Sequence, residues 1–143
     1  MAQKPPIRQA RAKSAPRADA AVTPPLPAKK YVRMVAEHSG DKPRFQGDTR
    51  SLANPEVKCV FDLLVEGTRI APQLCFGYLW QEKDRFPCLL VPPIDGKTGT
   101  IDWGSDGREA PDTTNLFDHD VVVGQLFTIA DATFRIVQVN TLL

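Results

Sequence analysis

The chain has 143 residues, 42% of them hydrophobic and 24% charged, which suits one domain with a core of its own. Its three cysteines, Cys59, Cys75 and Cys88, form no CxxC pair; this argues against a disulfide framework and fits a reducing, cytoplasmic compartment. The apolar runs are strand-sized, far short of a membrane helix, and the first residues lack the apolar stretch of a secretory signal.

The net charge of +1 conceals a division. Residues 1–33 carry eight cations against the single acid Asp19, a net +7, while residues 34–143 carry ten cations against sixteen acids, a net −6. A basic arm on an acidic body points to a polyanion, or to an acidic protein, as the partner of the arm. Residues 1–30 hold six of the thirteen prolines and almost no large apolar side chain. Such a stretch buries too little surface to offset chain entropy, so it is expected to be a disordered arm. Its cations Lys4, Arg8, Arg11, Lys13, Arg17, Lys29 and Lys30 are the expected tether residues. They would neutralise phosphates without sequence preference and lose affinity with salt. Thr23 to Pro27 has the composition of a polyproline II spacer or ligand. The first eighteen residues lack acids, as in a transit peptide, but Pro5, Pro6 and Pro16 would break the amphipathic helix that such peptides form.

The body, residues 31–143, is expected to be a single mainly β domain: about seven antiparallel strands in a small sandwich or partly open barrel. Tyr31–Glu37 has strand composition, and His38–Glu56 is rich in Gly, Pro, Asp and Asn, as loops are. Val57–Val65 alternates cleanly, with Val57, Cys59, Phe61, Leu63 and Val65 on one face. A two-residue turn at Glu66-Gly67 pairs Val65 with Thr68, Leu63 with Ile70, Phe61 with Pro72 and Cys59 with Leu74. Pro72 cannot donate to a ladder and so marks an edge or a bulge. Phe86–Val91 is a continuous apolar run, expected to be buried on both faces. Residues 94–120 form a 27-residue polar segment in which Thr100–Trp103 is a short candidate strand. A second hairpin turns at Asp131-Ala132 and sets Ile129 against Phe134 and Phe127 against Ile136.

The candidate chemistry is sparse. Residues 94–120 carry seven acids against two cations. Trp103 with Asp102, Asp106, Glu109 and Asp112 is the expected partner-binding set, an aromatic anchor among carboxylates. Asp102 to Gly107 lacks the ligand spacing of an EF-hand, so no metal is expected, and no cofactor motif is present. Asp118-His119-Asp120 is the most catalytic-looking tripeptide, but neighbouring residues of a strand face opposite ways and converge only from a loop. The leading expectation is a non-enzymatic binding or assembly module, such as a subunit of a phage-type structure, whose acidic domain docks a protein partner. Two alternatives remain. One is a small hydrolase or metal-dependent enzyme built on Asp118, His119 and Asp120 with Asp102 in support. The other is an inhibitor or immunity-type protein that plugs a basic active site.

Overall fold

The computed structural model describes residues 28–104 and 110–142, the side chain of residue 50 excepted. The tether residues Lys4, Arg8, Arg11, Lys13 and Arg17, and the partner-binding residues Asp106 and Glu109, lie outside the described residues.

The body is all antiparallel β. Nine strands run in chain order: β1 (Lys29–Asp41), β2 (Val57–Glu66), β3 (Arg69–Ile70), β4 (Cys75–Gln81), β5 (Asp84–Val91), β6 (Gly99–Asp102), β7 (Asp112–Thr114), β8 (Leu126–Ile129) and β9 (Ala132–Thr141). Their order in the sheet is β1-β9-β8-β7-β6-β5-β4-β2-β3, and β1 also pairs with β2. That last pairing closes an eight-stranded barrel, with the two-residue β3 attached to the end of β2. The count thus exceeds the expected seven, and the barrel is closed rather than partly open. Closure leaves the long β1 and β2 without a free edge, the usual way in which a sheet avoids edge-to-edge association.

Strand alternation builds the core. Val32, Met34 and Ala36 of β1, Cys59, Phe61, Leu63 and Val65 of β2, and Phe134 and Ile136 of β9 all point inward and are buried. An eight-stranded barrel has an interior that side chains alone fill. Phe127 and Phe134 stack inside it with ring centroids 5.9 Å apart. Of the glycines required by space, two lie against core rings. A Cβ on Gly77 would collide with the Phe61 ring, its cross-strand neighbour. A Cβ on Gly99 would lie 2.6 Å from the Phe117 ring.

β2 keeps its expected inward face, but the hairpin's register differs and its second strand turns over: Cys75 and Gly77 face inward, while Leu74, expected inward opposite Cys59, is exposed, as is Phe76. The turn is Gly67-Thr68, which pairs Val65 with Ile70 and Glu66 with Arg69. The chain then breaks at Ala71–Leu74 and resumes with Cys59 opposite Leu79 and Phe61 opposite Gly77. Pro72 sits in that break, where its missing N–H costs no ladder bond, so it marks an irregularity and not an edge. The second hairpin turns at Ala130-Asp131, one residue earlier than expected, and pairs Phe127 with Phe134 and Ile129 with Ala132. The shift is two residues in register, so every side chain keeps its face. β5 corrects the expectation of two buried faces: Cys88 and Leu90 are buried, while Phe86 and Leu89 are exposed.

The segment 94–120 is not one long loop. It supplies β6 and β7, followed by a 3-10 turn at Leu116–Asp118 whose Leu116 and Phe117 are buried. The seam beyond β7 is thin, with Thr114 opposite Ile129 as the single ladder pair. Side chains reinforce it: the Thr114 hydroxyl donates to Thr128 O (2.7 Å), and Thr128 N–H donates to Asn115 Oδ1 (2.7 Å).

Candidate binding mouth of the barrel

Antiparallel order sorts the connections onto two ends. The β1–β2, β4–β5, β6–β7 and β8–β9 connections lie at one rim, here called upper, and the others at the lower rim. Asp102, Trp103 and Asp112 therefore lie at the upper rim, while Asp118, His119 and Asp120 lie at the lower.

At the upper rim the core is left partly uncovered. Val57, Leu79, Trp103 and Ala132 are half-buried against it. The Trp103 indole Nε1–H donates to Asp112 Oδ2 across the β6–β7 connection (2.9 Å). Asp102 faces solvent and its Oδ1 accepts from the N–H of Gly104 (2.9 Å). A hollow of ≈ 310 Å³ is lined by Trp103, Asp112, Leu79, Ile129, Ala132 and Phe134, with Asp41, Asp131 and Arg44 at its margin. A second hollow of ≈ 560 Å³ shares Asp41, Leu79, Ala132 and Phe134 with it and extends under the 42–56 loop to His38, Asn54 and Gln81. The mouth is thus apolar within and carries mostly carboxylates at its edge.

His38 is the one imidazole in this mouth, and both of its nitrogens are engaged. Nδ1 accepts from the Asn54 N–H (3.0 Å), so it carries no proton. The proton is then on Nε2, which donates to Asp41 Oδ1 (2.7 Å). A ring with one nitrogen accepting from a main-chain donor and the other donating to a carboxylate has no lone pair to offer a substrate. Edge-on packing against Phe134, with centroids 5.8 Å apart, holds the ring further. His38 therefore latches the 42–56 loop to β1. The pattern His38-x-x-Asp41 falls in a stretch that reads as loop, and nothing in the sequence ties it to Asn54.

At the lower rim the catalytic-looking tripeptide disperses. Asp120 Oδ1 accepts from the Thr68 hydroxyl (2.7 Å), Asp118 lies 3.8 Å from Arg69, and His119 Nδ1 lies 3.2 Å from Gln125 Nε2. The Arg69 guanidinium also donates to Phe117 O (3.3 Å), and Val121 N–H donates to Thr68 O (2.7 Å). These side chains staple the 3-10 turn to the β2–β3 turn. The structure does not bring Asp102 to them.

Compared with family models, with curated proteins and with solved structures, the chain matches none. The reading of the mouth therefore rests on its own geometry. Among the described residues, no group of three or more His, Cys, Asp or Glu is placed to hold a metal ion, and no helix is long and apolar enough to cross a membrane. All three cysteines are buried. Burial raises each thiol above its ordinary range, Cys88 to about 12, which disfavours the thiolate that nucleophilic chemistry needs.

Proposed function

We propose that the domain is a non-enzymatic binding module that takes a protein partner at its upper mouth, with Trp103 as anchor and Asp102 and Asp112 as polar rim. The observation that carries this reading is the mouth itself: an aromatic side chain half-buried over an apolar hollow, hydrogen-bonded to a rim carboxylate. Buried aromatic anchors ringed by polar groups dominate binding energy in protein interfaces. In this reading the basic arm is a second attachment, to a polyanion or an acidic protein, and the whole is a subunit of a larger assembly such as a phage-type structure.

The carboxylates at the rim also suit an inhibitor or immunity-type role, in which Asp41, Asp102, Asp112 and Asp131 face a basic partner enzyme. Such charge steers encounter and raises the association rate. No observation favours the hydrolase reading in the same way.

The test is capture from the native lysate by the full chain and by Trp103→Ala. A partner held by the first and lost by the second, at equal folded content, supports the mouth. Equal capture by both removes it. A basic enzyme as the captured partner, silenced on binding, selects the inhibitor version. For the arm, binding to nonspecific DNA is followed from about 50 mM to about 300 mM salt, with a steep loss expected if phosphates are neutralised. Absence of binding at low salt rules out a nucleic acid as the arm's partner.

A further inference from the structure

The barrel has a second surface that the mouth does not use. On the outer wall, β1, β2, β4 and β5 stand side by side, and three cross-strand rows are set by the register. Arg33, Asp62, Phe76 and Leu89 form the lowest row; Val35, Val60, Tyr78 and Pro87 the middle; Glu37, Lys58, Trp80 and Arg85 the upper. Phe76, Tyr78 and Trp80 alternate along β4, so all three rings stand outward. Phe76 is 56% exposed. The Arg85 guanidinium lies 4.8 Å from the Trp80 ring centroid and 5.4 Å from that of Tyr78.

Two depressions are cut into this wall. One, of ≈ 60 Å³, is floored by Val60 and Gly77 and walled by Phe76 and Tyr78, beside the Arg33–Asp62 pair. The other, of ≈ 360 Å³, lies between Trp80 and the end of the 42–56 loop, and is lined by Glu37, Glu56 and Glu82 against the single cation Lys58. Lys58 lies 3.8 Å from Glu37, and neither Glu56 nor Glu82 makes an ion pair among the described residues. An aromatic-walled dimple next to an acidic cleft is the arrangement that takes a proline and a nearby cation of an extended proline-rich segment.

We propose that this wall binds the chain's own N-terminal arm, with Pro16 in the dimple between Phe76 and Tyr78 and Lys13 in the acidic cleft beside Trp80. Four features select this occupant. The spacing matches: in an arm docked as polyproline II, Lys13 and Pro16 would stand one turn apart, about 9 Å, and Gly77 to Trp80 spans three strand residues, about 10 Å. The direction matches as well. The described chain starts at Ala28, beside the lower end of β1, so an arm that folds back upward meets the dimple before the cleft and presents Pro16 before Lys13. The reach suffices. Residues 17–27 can span up to about 36 Å, while the wall from Lys29 to the dimple measures about 17 Å. The charges are complementary, since residues 1–27 carry five cations against one acid. A polyanion that binds the arm would compete with the wall for Lys13, so arm docking and polyanion binding would oppose each other.

The experiment compares nitrogen-15 correlation spectra of the full chain with those of Lys13→Glu/Pro16→Ala, two changes outside the barrel. Docking predicts that the amides of Gly77, Tyr78 and Trp80 and the Trp80 indole shift in the double variant, while Pro5→Ala/Arg8→Glu leaves them in place. A synthetic peptide of residues 9–20 added to the double variant should restore the wild-type positions, with a dissociation constant on the order of 1 mM or below. That is the range an intramolecular segment of this length can saturate. Unchanged wall resonances in the double variant overturn the proposal. So does an equal response to Pro5→Ala/Arg8→Glu. A wild-type pattern that depends on protein concentration assigns the wall to a second copy and overturns it too.

Discussion

The two rims of the barrel are built from the same alternating strands and finished in opposite ways. The lower rim is plugged. Leu116 and Phe117 drop from the 3-10 turn into the interior, and Arg69, Thr68, Asp118 and Asp120 tie that turn to the β2–β3 turn. The upper rim leaves Val57, Leu79 and Trp103 half-buried over two connected hollows, covered on one side by a loop that hangs from His38. A barrel needs one rim closed well enough to keep water from its core, and can leave the other for recognition. The residues with the most chemical look, Asp118 to Asp120, sit at the closed rim and act on the fold. The rim proposed for recognition holds the Trp103 ring and the carboxylates of Asp102 and Asp112.

The comparison breaks first at the plug. Phe117→Ala removes a fully packed ring and leaves a void beneath Gly99, so the expected loss is about 3–5 kcal/mol, read from denaturant unfolding. A loss under about 1 kcal/mol would mean that the lower rim is not closed by this ring. Gly99→Ala approaches the same contact from the other side. Its methyl would lie 2.6 Å from the Phe117 ring, with an expected cost of about 1–3 kcal/mol from overpacking. The double variant Gly99→Ala/Phe117→Ala should cost less than the sum of the singles, because the cavity left by the ring accepts the methyl.

The interior between the rims has its own pH signature. Cys59 and Cys88 are buried and their thiols are raised, Cys88 to about 12, while in the unfolded chain both ionise near the ordinary value of 9.0. Below that value both states hold the proton and the thiols contribute no pH dependence. Above it the unfolded state releases protons that the folded state keeps, so stability falls as pH rises from about 9 toward 12, by at most about 1.4 kcal/mol per pH unit for each thiol. Unfolding midpoints between about pH 8 and about pH 11 check the slope, and Cys88→Ser should reduce it.

The plan of the barrel was legible in the sequence where a period runs long enough to be read. The inward face of Val57–Val65, the Pro72 irregularity and the parity of the Phe127–Phe134 hairpin all follow from alternation and from the missing proline N–H. The registers did not follow. The break at Ala71–Leu74 takes up residues that a sequence-based pairing spends on the ladder, and only closure through β1 and β2 decides how many. The strand β6 was legible as Thr100–Trp103, one residue late, but β7 escaped because three residues are too few to show a period. Leu116-Phe117 is an isolated apolar pair, and nothing local marks it as a plug. Trp103 was visible as an aromatic among acids. Its neighbours in the mouth, His38, Asp41, Leu79 and Phe134, come from three other strands, and no spacing rule joins them.

The smallest effect on stability should come from Trp103, and that smallness is what separates a mouth from a plug. Trp103→Phe keeps an aromatic ring over the hollow and removes the Nε1–H donor to Asp112. Asp112 is only half-buried, so water can replace the lost donor, and the expected cost is about 0.5–1 kcal/mol. Trp103→Ala should cost more, but still less than Phe117→Ala, because much of the indole faces the hollow instead of packed atoms. Partner capture should follow the reverse order: intact in Phe117→Ala wherever that variant is folded, weakened in Trp103→Phe and lost in Trp103→Ala. If Trp103→Ala instead unfolds the barrel as readily as Phe117→Ala does, the indole is core, both rims are plugs, and the recognition surface must be sought on the outer wall.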